Sequence, residues 1–287
     1  IMGFLDVLYT MKVPYESDRA VELADCIQEF ISYHAIKASA ELAKERKPYK
    51  TFQGSLWSQG VIPIDTVKTL ETNRSVSDLN TSQSQNWSDV RELVKRGMRN
   101  SVVQAIAPTA TIANIQNCFA SIEPLYRNVY VKENLSGTFT VFNPYLVLDL
   151  KNLGLFTTDI VNQIKLADGS IQGVKEIPGD LKALYKTAFE FDAEWLIKCG
   201  GRRQKWIDQS QSLNIYVKNP KGSDLNRIYM SAWKQGLKST YYLKSTAASS
   251  IEKSAIVGGR VDEKSKDKLE VKGSSCDLNS EECESCQ

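Results

Sequence analysis

The feature that most constrains this chain is a helical periodicity of unusual length. Between residues 17 and 47, Ala20, Ala24, Ile27, Ile31, Ala35, Ala38 and Leu42 recur at spacings of three and four, which places them on one face of a single helix. Ser17 or Asp18 can cap its start, Lys44, Arg46 and Lys47 suit the negative end of its dipole, and Pro48 stops it. The stripe is made mostly of small residues. His34, the only histidine of the chain, flanks it without an identifiable partner, so a structural or surface role is expected.

Downstream, residues 66–86 are rich in Thr, Ser, Asn and Gln and are expected to form a surface loop. A helix is expected over 88–96, and 101–107 reads as a buried strand ending at Pro108, followed by a tight turn and a helix start. Further strands are expected at 129–131 and 138–142, with helices at 144–153, 158–165 and 181–199. The segments 212–217 and 240–243 complete an alternation that suits an α/β architecture. No internal repeat is visible.

With 42% hydrophobic residues in 287, a substantial core can be buried. The 36 basic and 34 acidic residues leave a formal charge of only +2, so no global field gathers nucleic acid or an anionic membrane, and any phosphate recognition must be local. No run reaches the roughly 18 to 20 apolar residues of a membrane helix, and residues 1–11 lack a basic leader, so a cytoplasmic protein is expected. The start at Ile1, directly in an apolar segment, suggests a piece of a longer chain.

Cys26, Cys118 and Cys199 are scattered through the body and are expected to be small apolar core residues. Cys276, Cys283 and Cys286 instead crowd the last twelve residues, on a stretch whose Lys, Glu, Asp, Ser and Gly content over 249–273 predicts disorder. A flexible chain from Tyr242 to Cys283 has a root-mean-square span of roughly 35 Å and could extend to about 140 Å. The two-residue gap between Cys283 and Cys286 suits disulfide exchange. Zinc is the competing reading, although the tail offers three thiols where a closed site wants four ligands. The acidic residues Asp277, Glu281, Glu282 and Glu284 argue against a strongly activated thiolate.

Two other constellations carry chemistry. The turn Ala107-Pro108-Thr109-Ala110-Thr111-Ile112-Ala113 would offer the amides of a helix start and two hydroxyls to a phosphate or diphosphate, although taken alone such a threonine is more often an ordinary cap. Tyr241 and Tyr242 close a strand-like segment beginning at Trp233. Neighbouring phenols can hand a radical along, yet consecutive strand residues point to opposite faces unless the backbone bends.

Taken together, the chain resembles the large, catalytic subunit of class I ribonucleotide reductases over nearly its whole length. The resemblance is carried by Val13-Pro14-Tyr15-Glu16-Ser17, Leu42-Ala43-Lys44-Glu45-Arg46, Arg99-Asn100-Ser101, Ala107-Pro108-Thr109-Ala110-Thr111, Ser121-Ile122-Glu123-Pro124, Leu135-Ser136-Gly137, Asn143-Pro144, Asp168-Gly169-Ser170-Ile171-Gln172, Ile207-Asp208-Gln209-Ser210-Gln211-Ser212-Leu213-Asn214, Trp233-Lys234-Gln235-Gly236-Leu237-Lys238, Tyr241-Tyr242 and the terminal cysteines. The tryptophan-to-tyrosine segment and the Asp208 to Asn214 run are the most specific.

The resemblance implies the second half of a ten-stranded α/β barrel over residues 1–248 and a redox-active tail over 249–287. It implies that Thr109, Ala110, Thr111 and Ile112 hold the substrate diphosphate, that Tyr241 and Tyr242 pass a radical from a small, radical-generating (beta) subunit, and that Cys283 and Cys286 deliver electrons from thioredoxin or glutaredoxin. The family's radical cysteine sits in an Asn-x-Cys-x-Glu loop that none of Cys26, Cys118 and Cys199 matches, so the chain alone is expected to be inactive and that loop is expected upstream. ATP, dATP and other deoxynucleotide effectors would bind upstream as well, the radical would arise at a metal in the partner subunit, and the full-length subunit would be a homodimer. No cofactor or metal site is expected on this chain. The alternatives are a noncatalytic scaffold whose zinc-binding tail docks a partner, and an unrelated α/β barrel enzyme with a phosphate site.

Overall fold

A computed structural model of the chain describes residues 1–134 and 137–245. Its organising element is the long helix. After α1 (Phe4–Thr10), α2 runs over Asp18–Arg46, 29 residues or ~44 Å at 1.5 Å per residue. Ser17 caps it by accepting from the Ala20 amide. The buried face is rotated from the expected one. Ala20 and Ala24 are buried, but Ile27, Ile31, Ala35 and Leu42 are only half-buried and Ala38 is exposed, while Asp25, Gln28, Glu29, Ser32 and Ser39 face inward. Apolar spacing misses such a face because its polar members are hydrogen-bonded there.

That polar band lies where two apolar clusters meet. The larger gathers Phe4, Leu8, Ala20, Ala24, Ile106, Ile122, Leu196 and Leu213; the smaller gathers Ile36, Ala40, Trp57, Trp87, Val94 and Trp206. Between them Asp25 accepts from Arg202 at 2.9 Å, Lys205 at 3.0 Å and the Trp206 indole at 2.6 Å. One turn on, Glu29 accepts from the Ser84 and Gln85 amides, the Ser84 hydroxyl and the Trp87 indole. Trp87 and Trp206 stack at 5.5 Å with planes 9° apart. His34 is exposed beside Phe30 and Tyr33.

The polar stretch 66–86 is not all loop. A 3-10 turn at Pro63–Thr66 leads into α3 (Val67–Arg74), and only then does an irregular segment follow, tethered to α2 by Glu29. The next helix, α4 (Trp87–Arg96), starts one residue earlier than expected, capped by Asn86. Residues 101–107 do not form the expected strand. Asp208 takes the Val103 and Gln104 amides on its carboxylate, at 2.6 and 2.8 Å, so a side chain replaces the ladder and only Ile106 pairs, in parallel, with Gln211.

Beyond α5 (Ala110–Gln116), β1 (Val129–Asn134) and β2 (Gly137–Phe142) form an antiparallel hairpin in which Val129 faces Phe142. Asn128 and Asn143 button its base, bonding to each other and, through Asn128, to Gly169 and Tyr185. Gly169 adopts φ +86°, and a Cβ there would meet the Val129 backbone at 3.0 Å. Next come α6 (Pro144–Asn152) and α7 (Thr158–Leu166), close to expectation. The single helix expected over 181–199 is two, α8 (Gly179–Leu184) and α9 (Ala193–Gln204), because Asp192 caps a new start on the Glu194 amide. A helix with no sequence-based expectation, α10 (Gly222–Lys234), lies between β3 (Ile215–Val217) and β4 (Leu243–Ser245), which pair in parallel. The described residues are thus helix-rich, with two two-stranded sheets and no closed barrel. No described helix is long and apolar enough to cross a membrane.

Burial pushes the Glu29 carboxyl up, but the hydrogen bonds from Gln85, Ser84 and Trp87 outweigh it and hold the group below its ordinary value. A depressed folded value stabilises above the unfolded value of roughly 4.3 and is lost as pH falls through the folded one. Glu29→Ala should therefore cost about 3 kcal/mol in urea unfolding at pH 7, with the difference from wild type shrinking below about pH 4. An equal cost at pH 7 and pH 3 would contradict this.

Candidate functional site

The two constellations singled out in the sequence flank one extended segment. Ile106 donates to Ser210 O and accepts from the Ser212 amide, whereas Tyr241 donates to Leu213 O and Ile215 donates to Tyr242 O. Even-numbered and odd-numbered residues of an extended chain face opposite edges, so residues 208–217 lie between the segment that leads into the Thr109 turn and the segment that carries the tyrosines.

Thr109 adopts φ +53° and its side chain does not cap α5. Its hydroxyl oxygen instead accepts from the Ser121 amide at 2.8 Å, folding the far end of the α5 loop back onto the turn. The ordinary capping role is therefore absent here. Ala110, Thr111 and Ile112 open the helix on an exposed face, where the first amides have no acceptor four residues back.

The tyrosines resolve the difficulty that strand alternation poses. In a regular parallel ladder one residue would both donate to Leu213 O and accept from Ile215 N. Here the tasks are divided between Tyr241 and Tyr242, so the chain carries one extra residue at this point, a bulge. The bulge re-aims one side chain, and the rings meet at 4.1 Å between centroids, 49° apart, exposed by 44% and 59%. The amide left over, Tyr242 N, donates to Asn214 Oδ1 at 3.1 Å. Hydrogen bonding to Tyr242 raises the Tyr241 phenol above its ordinary value.

The segment before the pair is stapled along its length. Arg74 stacks on Trp233 at 4.2 Å and donates to Trp233 O and Leu237 O. Lys238 donates to the carbonyls of Ile207, Asp208 and Gln209, and Ser239 to Gln211 O. Asn214 and Tyr216 both donate to Glu123, at 2.6 and 2.5 Å. Sequence reasoning placed Glu123 and Asn214 in matching motifs but gave them no role; their pairing is invisible at a separation of 91 residues.

Cavities of about 450 and 430 Å³ both touch Thr66 and Lys238, and neither is lined by the tyrosines or by residues 109–112. Among the described residues no three His, Cys, Asp or Glu side chains are grouped to hold a metal. Cys283 and Cys286 lie outside the described residues. Of the body cysteines only Cys199 is fully buried; Cys118 is half-buried, and Cys26, expected in the core, is exposed because it lies on the outer face of α2.

A family model described as ribonucleotide reductase, barrel domain, matches residues 1–243. The chain belongs to this family. It is 49% identical over 259 residues to the ribonucleoside-diphosphate reductase subunit alpha of Chlamydia pneumoniae, covering 89% of this chain and 25% of that protein. It is 38% identical over 250 residues to the large subunit of Plasmodium falciparum, covering 86% and 30%. Among solved structures, the class Id ribonucleotide reductase alpha subunit of Actinobacillus ureae aligns with a TM-score of 0.64 at 27% identity, over 86% of this chain and 38% of that one. The chain thus spans about a quarter to a third of the length of these relatives. The ribonucleotide reductase barrel accounts for the alternation read in the sequence, of which the described residues supply parallel segments without a closed ring.

Burial pushes the Cys199 thiol up to about 11, against the opposing pull of Arg203 and Lys198. With the three tail cysteines replaced by Ser, a thiol reagent at pH 8 should label Cys26 readily and Cys199 only after unfolding, as mapped by mass spectrometry. Equal labelling of the two would refute the burial argument.

Proposed function

We propose that this chain is the C-terminal part of the catalytic subunit of a ribonucleoside-diphosphate reductase, an oxidoreductase that makes deoxyribonucleotides for DNA synthesis. The observation that carries the reading is the contact between the tilted Tyr241 and Tyr242 rings, held by a bulge beside the segment whose other edge leads to the Thr109 turn. A radical needs redox-active rings in contact, and a diphosphate needs unpaired amides; the two lie on opposite edges of one extended segment.

In this reading the amides of Thr109, Ala110, Thr111 and Ile112 hold the substrate diphosphate, with the helix start contributing its positive end. Tyr241 and Tyr242 relay a radical from a small, radical-generating subunit to a cysteine supplied by the remainder of the full-length protein, which also completes the walls of the site. That thiyl radical removes the 3′ hydrogen of the ribose, the 2′ hydroxyl leaves as water, and two cysteines become a disulfide as they supply the electrons. Cys283 and Cys286 reduce that disulfide by exchange and are themselves reduced by thioredoxin or glutaredoxin. Deoxynucleotide and ATP effectors act on the remainder of the subunit, which works as a homodimer in the cytoplasm.

In the restored full-length subunit, Tyr241→Phe or Tyr242→Phe should abolish turnover while substrate binding persists, and retained turnover would rule out the relay. Cys283→Ser with Cys286→Ser should limit a thioredoxin-driven reaction to about one turnover yet allow continued turnover with a small dithiol. Undiminished thioredoxin-driven activity would remove the shuttle.

A further inference from the structure

We propose that Glu123 is a positioning residue for the tyrosine pair, acting through the carboxamide of Asn214. The functional consequence rests on the relay reading above; the geometry does not.

The bulge that brings the rings together leaves one main-chain amide without a ladder partner, Tyr242 N, and Asn214 Oδ1 takes it. Asn214 Nδ2 in turn donates to Glu123. A carboxylate can only accept and an amide N–H can only donate, so a link between them needs a side chain that does both, and a carboxamide is one. Those two neighbours also fix which way round the Asn214 amide lies. Asn214 and Tyr216 are buried, and both bonds to Glu123 are charge-assisted, the stronger class.

Glu123 belongs to a turn that touches the other half of the site as well. Ser121 N donates to Thr109 Oγ1, and Tyr15 donates to Ile122 O between them. Three consecutive residues therefore hold the Thr109 turn, brace the middle through the α1–α2 connection, and clamp the tyrosine bulge. Without Asn214 the leftover amide loses its protein acceptor, and without Glu123 the carboxamide that supplies it is no longer held in orientation. The chain can then relax to a regular ladder, in which successive rings point to opposite faces.

The 287-residue chain itself tests this. Selectively labelled tyrosines, assigned with Tyr241→Phe and Tyr242→Phe, should show ring-to-ring NOEs between Tyr241 and Tyr242 at pH 7. Glu123→Ala and Asn214→Leu should lose those NOEs while the rest of the spectrum and the melting transition mark a folded chain. Glu123→Gln, whose amide oxygen can still accept from Asn214, should keep them. Should Glu123→Ala fail to fold, Asn214→Leu and Asn214→Asp decide. Intact NOEs in a folded variant lacking either partner would overturn the clamp. In the full-length subunit Glu123→Ala should lower kcat on the order of 100-fold with KM held, and Glu123→Gln should recover most of it. Unchanged kcat would likewise overturn the inference. Retained turnover in Tyr242→Phe would instead sink the relay and leave the NOE result standing, so the two failures are distinguishable.

Discussion

Main-chain amides that find no ladder partner govern this structure. Three extended segments lie side by side, but only Ile106 with Gln211 and the short β3–β4 pair meet in regular register. Side-chain oxygens take up what is left: Asp208 for Val103 and Gln104, Thr109 for Ser121, Asn214 for Tyr242. A buried donor without an acceptor costs about 1–3 kcal/mol, a constraint that falls most heavily on the oxygen serving the buried Ser121 and less on those serving the half-buried Val103 and Gln104 and the exposed Tyr242. Each also shapes the backbone locally, and two of the three do so where the candidate site lies.

The same economy holds the body together. α2 serves two apolar clusters, and where it passes between them it presents carboxylates rather than hydrocarbon. Asp25 draws in α9 through Arg202 and Lys205, and Glu29 draws in the irregular segment ahead of α4. Burying a charge is costly unless it is paired or well hydrogen-bonded; Asp25 is paired with Arg202 and Lys205, and Glu29 accepts four hydrogen bonds. The junction therefore fixes the register between α2 and its neighbours, which apolar contacts alone would leave looser.

Much of this was legible in the sequence wherever local chemistry decides. Ser17, Pro48 and the three-four spacing set the bounds of α2 to within a residue, and Asn143-Pro144 marks the start of α6. Legibility failed where distant partners decide. The inward face of α2 could not be read because Asp25 and Glu29 bind groups more than 50 residues away, and the strand expected before Pro108 is displaced by Asp208. The break at Asp192 was missed because the apolar spacing on either side of it reads as continuous, and α10 was given no element at all. In the candidate site, the segment leading to Thr109 and the segment carrying Tyr241 and Tyr242 stand at opposite edges of one extended segment, yet the bulge that lets consecutive phenols touch left no mark in the sequence. The resemblance motifs themselves gain a physical meaning: Tyr15 bonds the Ile122 carbonyl, Glu16 pairs with Lys186, and Ser17 caps a helix, so the run that carries all three reads as scaffold.

The stacked indoles of Trp87 and Trp206 carry a consequence of their own. Buried, nearly parallel and each tied by its N–H to a carboxylate on α2, they share excitation, and their combined absorption and emission depend on the gap between them. The seam where the two clusters meet thus holds a native optical gauge of how α2 sits against the elements that carry the two indoles.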